Sequence, residues 1–194
     1  MSDPIRVEPL QIDVGGLVRR SVATLYSHLV TRPTGRAVRL AIETQLAEAG
    51  ETSCSLIDLT HVTVLDFSCA DEVVAKLLTR YLEADRPQDA FFVFRGVAER
   101  HRDPIEAVLE RHRLAAVTEA DGSYELLGSR SPLEARVWCT VEERGRLSAE
   151  GVRSLFPEEG ERETLDGLVR RRLVFRSPRG EVHALSRLVA DLPI

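Results

Sequence analysis

The chain is poor in several residue types that carry chemistry. Of 194 residues, 5% are aromatic, with one tryptophan and one methionine, and only three are cysteine. Cys54, Cys69 and Cys139 are odd in number and far apart, which gives neither a disulfide framework nor metal-ligand spacing. All three lie in apolar segments where a small buried thiol packs well, a usage that suits a reducing compartment. The five histidines, His28, His61, His101, His112 and His183, are scattered without ligand spacing. His101 and His112 sit among charges and are expected to face solvent. No apolar run approaches the length that crosses a bilayer, and the start lacks a basic stretch followed by an apolar one. A cytoplasmic protein with no membrane partner is expected. There is no glycine-rich phosphate loop, no Gly-x-Gly-x-x-Gly and no Gly-x-Ser-x-Gly. His61 is close in sequence to Asp58 and Ser68, but nothing in that spacing makes a nucleophilic triad. The expectation is therefore no enzyme, no catalytic residue, no cofactor and no metal.

What is present is a charged, moderately apolar chain: 43% hydrophobic, 29% charged, net charge −5. That balance is typical of a globular protein and argues against non-specific nucleic-acid binding by the whole chain. The charge is uneven. Residues 1–128 hold 14 Lys+Arg and 20 Asp+Glu, and residues 129–194 hold 12 and 11. The change falls at the turn-forming cluster Gly128–Pro132, which reads as a domain boundary.

Apolar periodicity predicts helices over Leu17–Val30 and over 36–50, the latter with Val38, Ile42 and Leu46 inward and Gly50 as its stop. Pro33 and Gly35 punctuate the chain between them. Ser53–Val62 and Asp89–Gly96 read as strands buried on both faces. Asp103 and Pro104 read as the N-cap and first position of a helix to Leu114. Asp121-Gly122 lies between two alternating arms and predicts a hairpin. Helices alternating with strands imply a parallel or mixed sheet.

Within this frame, Ile57–Leu78 resembles the signature of STAS domains, the fold of bacterial anti-sigma factor antagonists. The carrying residues are Asp58-Leu59-Thr60, Val64-Leu65-Asp66 and Ser68. Ser68 stands where the antagonists carry the serine that a partner kinase phosphorylates. Phe67 and Cys69 depart from the small residues that flank it there. The STAS-like branch is resembled as well, through Ala70-Asp71-Glu72 and the upstream stretch 31–46. The resemblance covers roughly Thr31 to Gly128. It implies a signalling module whose partner is an anti-sigma factor or a histidine-kinase-like ATPase.

Ser68 supports two compatible readings. It is a good N-cap, with Asp71 three residues on completing something close to a capping box. It is also a candidate phosphosite at the centre of a partner loop formed by Asp66, Ser68, Asp71 and Glu72. A phosphate there would change a docking surface by about −2 charges.

Beyond the boundary, the pattern gives three helices and a hairpin. Leu133, Val137, Trp138 and Val141 mark the first helix, and Gly145 ends it. Ser148 caps the second. Leu165, Leu168 and Val169 face inward from the third. Two strands flank the turn Ser177–Gly180. This order resembles a winged helix over roughly 132–190, a form that docks on protein, packs against a neighbouring domain or binds DNA. Arg170, Arg171, Arg172, Arg176 and Arg179 are then the candidate phosphate contacts. Against that stand Glu158, Glu159, Glu161 and Glu163 at the start of the third helix, where carboxylates repel a DNA backbone.

The sequence thus predicts an α/β protein: an N-terminal arm at 1–19, a STAS-like mixed sheet with helices at 20–128, and a small C-terminal winged-helix-like domain at 129–194. The expected role is regulatory protein–protein interaction in bacterial-type signalling or transcription control. The alternative is a DNA-binding winged-helix regulator with a STAS-like sensor or dimerisation domain.

Overall fold

The computed structural model describes residues 7–14, 28–49, 51–190 and 192. Most of the helix expected at Leu17–Val30 lies outside them. Its described end, His28–Leu29, is a short strand instead, paired in parallel with Val64–Leu65.

The fold is mixed α/β. Five strands, β1 (Glu8–Asp13), β3 (Thr52–Asp58), β5 (Asp89–Arg95), β6 (Ala115–Ala120) and β7 (Ser123–Gly128), form one sheet in the order β1-β3-β5-β6-β7. The first four run parallel, and β7 turns back antiparallel to β6. The small pair is β2 (His28–Leu29) and β4 (Val64–Leu65). The hairpin forms as expected, with Asp121 and Gly122 both at positive φ (51° and 78°) in the turn. Those paired left-handed residues give the turn a twist that matches the strands.

The central strands β3 and β5 are buried at five successive positions each. Alternation sends Ala90, Phe92 and Phe94 to one face and Phe91 and Val93 to the other. Such a sheet needs a cover on each side. The first cover is three helices. α1 (Arg32–Ala47) buries Val38, Ile42 and Leu46, the positions read from periodicity. Pro33 does not break this helix. Thr31 is its N-cap, so Pro33 falls in the first turn, where a missing N–H costs nothing. α2 is continuous through Phe67–Ala70, a π-helical stretch Asp71–Lys76, and Leu77–Leu82. α3 (Glu99–Arg111) has Ala98 as its N-cap, five residues before the expected Asp103. Asp103 is therefore no cap, and Pro104 sits inside the helix, buried beside Ile105.

The C-terminal residues form the second cover. α4 (Pro132–Arg144) opens with a Ser131–Glu134 capping box and ends at Gly145 with φ 68°. β8 (Arg146–Leu147), α5 (Ala149–Leu155, capped by Ser148) and α6 (Glu159–Arg170) follow. Next come β9 (Phe175–Arg176) and β10 (Val182–His183), two residues each, then α7 (Leu185–Val189). The three short strands pair antiparallel in the order β8-β10-β9. Trp138, Val141, Leu165, Leu168 and Phe175 join Cys54, Leu56, Phe91, Val93 and Val117 of the sheet in one apolar cluster. Phe91 and Phe175 meet edge to face, with centroids 5.5 Å apart. Each such side chain contributes about 1.5–3 kcal/mol by leaving water. Cys54 is buried here, but Cys139, also expected inside, is exposed. Its neighbour Trp138 takes the inward direction of the helix turn.

Two glycines test the packing with opposite signs. A Cβ on Gly35 would lie 2.9 Å from the Cα of Cys69, whereas on Gly167 it would meet only the tip of Arg170 at 3.8 Å. Gly35→Ala should lower stability by about 1–3 kcal/mol through overpacking. Gly167→Ala should raise it by up to about 1 kcal/mol through helix propensity. Urea unfolding of the two variants checks both.

Candidate functional site

The end of β4 turns into α2 at Asp66. This residue, not Ser68, is the N-cap: its backbone is extended (φ −85°, ψ 169°) and its carboxylate accepts the Cys69 N–H at 2.8 Å. Ser68 is already helical. Its hydroxyl donates back to Asp66, at 2.9 and 3.1 Å from the two carboxylate oxygens. The cap expectation fails because the helix starts two residues earlier, and aspartate is as good a cap as serine. Ser68 is half-buried, while Phe67 beside it is, among the described residues, the most exposed large apolar side chain at 58%. Val64 and Val30, exposed at 40% and 48%, belong to the same end of the fold. β4 carries Val64, and Val30 directly follows β2.

Asp71 is not the partner of a capping box. It and Glu72 face away from Ser68 into a charged cluster between α1, α2 and the end of α3. Both are nearly covered, at 7% and 2% exposure. Asp71 accepts from Arg32 at 2.7 Å and contacts the Nε2 of His112 at 2.7 Å. Glu72 accepts from Arg32 at 3.1 Å, from Arg39 at 3.3 Å and from Lys76, the only lysine in the chain. The π-helical stretch explains how two adjacent acids can both turn inward. Its wider turn buries five successive residues, Asp71 to Ala75. Such stretches are frequent at functional sites. Burial pushes the Asp71 carboxyl up, but Arg32 and His112 outweigh it and hold it below the usual range. Burial likewise opposes, and Lys76, Arg32 and Arg39 overcome, at Glu72.

Burial, with Asp66 nearby, pushes the Cys69 thiol up to about 12, so it stays protonated and donates to the Thr31 carbonyl at 3.0 Å. A thiol held neutral is a poor nucleophile. His101, expected at the surface, is 1% exposed, and burial followed by Arg100 lowers its pKa. His61 is exposed, and Ser68 bonds to Asp66 rather than to it. Among the described residues no group of His, Cys, Asp or Glu is arranged to hold a metal ion.

The five C-terminal arginines do not form one surface. Arg171 is tied to Glu134 (2.5 Å) and the Ser129 carbonyl (2.6 Å), which fixes the chain where it leaves the sheet. Arg172 reaches the sheet itself, at Asp89 (2.6 Å) and over the ring of Phe91 (5.1 Å). Arg176 pairs with Asp166 at 2.6 Å. Arg170 and Arg179 are exposed. Glu158, Glu159 and Glu163 stay exposed on α6, and Glu161 pairs with Arg136 at 2.9 Å.

Reasoning from sequence missed Arg32, Arg39 and His112, which only tertiary packing brings to Asp71 and Glu72. The Glu72–Lys76 pair was readable, since it has helical i, i+4 spacing.

No protein-family model matches the chain, and comparison with curated proteins and with solved structures gives no match.

The cap assignment predicts that Asp66→Ala costs about 1 kcal/mol and Ser68→Ala much less, as measured by thermal unfolding. The acid cluster predicts a pH dependence. A carboxylate with a lowered folded pKa stabilises above its unfolded pKa and loses that contribution as pH falls through the folded value. Glu72→Gln should therefore destabilise by about 1–3 kcal/mol near neutrality. In urea titrations the gap to wild type should narrow as the pH drops below the ordinary carboxylate range.

Proposed function

We propose that the chain is a regulatory protein-interaction module of the STAS-like, anti-sigma-factor-antagonist kind. Its docking surface is the strand-to-helix end built by Val64, Asp66, Phe67 and Ser68. The observation that carries this reading is Phe67: a large apolar side chain held in solvent at a capped helix start, next to a half-buried hydroxyl. Aromatic anchors of this kind dominate the energy of protein interfaces. Ser68 sits where its modification would act on that surface. A phosphate on its oxygen would meet the Asp66 carboxylate it now bonds, so it would displace the side chain or repel an acidic partner. By resemblance the partner is an anti-sigma factor or a histidine-kinase-like ATPase, and the setting is the bacterial cytoplasm. No helix among the described residues is long and apolar enough to cross a membrane.

A second reading draws on the C-terminal order of helix, strand, helix, helix, strand, strand, with sheet order β8-β10-β9. That order resembles a winged helix and supports DNA as a partner. The arginine pairs weigh against it. Arg171, Arg172 and Arg176 already hold carboxylates of this chain, which leaves Arg170 and Arg179 for phosphates.

The test is capture of the partner from host cells, followed by calorimetry with purified components. Phe67→Ala and Ser68→Asp should each weaken binding at least tenfold, or about 1.4 kcal/mol, with unchanged unfolding midpoints. Unchanged affinity in both variants would contradict the docking surface. Duplex DNA binding that falls steeply with salt and is lost in Arg170→Ala and Arg179→Ala would favour the second reading.

A further inference from the structure

A groove of about 500 Å³ opens where the starts of β3 and β5 meet the end of α6 and the β9 strand. Four arginines line it: Arg86, Arg170, Arg172 and Arg176. Asp89 is the only carboxylate in the lining, and it is shared between Arg86 (2.8 Å) and Arg172 (2.6 Å). Arg176 draws on Asp166 from outside the groove. Arg170 is exposed and has no ion pair among the described residues. The chain as a whole carries −5, yet this one concavity gathers four guanidinium groups around one acid.

The backbone adds an independent observation. α6 ends with Arg172 N–H on the Val169 carbonyl and Leu173 N–H on the Leu168 carbonyl, both at 3.0 Å. This is the Schellman arrangement, and its left-handed position usually belongs to glycine. Arg172 occupies it at φ 58°. Arg113 takes the same position at the end of α3 (φ 56°), and Arg172 differs from it in carrying its guanidinium to Asp89 and Phe91 in the lining of the groove. Phe91 and Phe175, 6% and 7% exposed, form the floor of the groove, and Arg172 lies over the Phe91 ring.

We propose that this groove is a binding site for a small phosphorylated molecule whose body is aromatic or apolar. Guanidinium forks bind phosphate oxygens in pairs, with direction as well as charge. Arg170 supplies the open contact, and Arg176 the donors that its pair with Asp166 leaves over. Arg172 and Arg86, oriented by Asp89, supply the rest, and the Phe91–Phe175 floor receives the organic part. This site is separate from the Phe67–Ser68 surface. It also takes up arginines that a DNA-binding reading would use, so the two uses compete.

The test is isothermal titration calorimetry of the full chain, in buffer free of phosphate and sulfate, with three probes: inorganic phosphate, pyrophosphate and phenyl phosphate. One saturable site is expected, with phenyl phosphate bound more tightly than inorganic phosphate. Arg170→Ala, which removes an exposed side chain without an ion pair, should weaken binding at least tenfold with an unchanged unfolding midpoint. Arg172→Gly keeps the left-handed cap and should weaken binding as well, whereas Arg179→Ala, outside the groove, should leave it unchanged. Absence of saturable binding, or equal binding by Arg170→Ala, would overturn the proposal. It would also be overturned by a preference for duplex DNA with equal losses in Arg170→Ala and Arg179→Ala.

Discussion

Everything in this structure depends on two strands that are dry on both sides. β3 and β5 each bury five successive residues, and alternation divides those residues between two faces. Neither face can stay in water without losing the free energy that holds the sheet together. α1, α2 and α3 close one side. The residues after the hairpin close the other, through Trp138, Leu165, Leu168 and Phe175. The C-terminal helices are therefore part of the protein's interior as well as a surface. Arg171 and Arg172 fasten them at two points, one at the exit from the sheet and one at the start of β5.

The same constraint shapes the two candidate surfaces. On the first side, α2 must cover the sheet and also end β4 in a turn, so its capped start projects Phe67 outward. One turn further on, the π-helical stretch swings Asp71 and Glu72 into the seam with α1, where Arg32, Arg39 and Lys76 neutralise them. A buried acid left without those partners would be costly, so α1 is placed by charge as well as by its Val38–Ile42–Leu46 stripe. On the second side, the meeting of α6 with β5 leaves the arginine-lined groove.

The parts legible in the sequence were those governed by short-range rules. The stripe of α1, the buried runs of β3 and β5, the Asp121-Gly122 hairpin, and the stops and caps at Gly145 and Ser148 all follow from spacing and turn chemistry. The errors arose where two local signals competed. Asp66 and Ser68 are both good caps, and only the folded helix start chooses between them. Asp103-Pro104 looks like a helix opening, yet burial of Pro104 and Ile105 carries α3 past it. The charged cluster and the groove were not legible, because their members are brought together by packing. Arg32 and Asp71 are 39 residues apart, and Arg172 and Asp89 are 83 apart.

The central claim is that both covers stand or fall with the shared sheet. Its most direct test is urea unfolding followed at three places at once. Trp138 emission and Cys54 labelling report the C-terminal cover, and Cys69 labelling reports the opposite core, with exposed Cys139 as the internal reference. A single common midpoint is predicted, as a cooperative unit requires. Loss of the Trp138 signal and of Cys54 protection at lower urea, with Cys69 still protected, would contradict it.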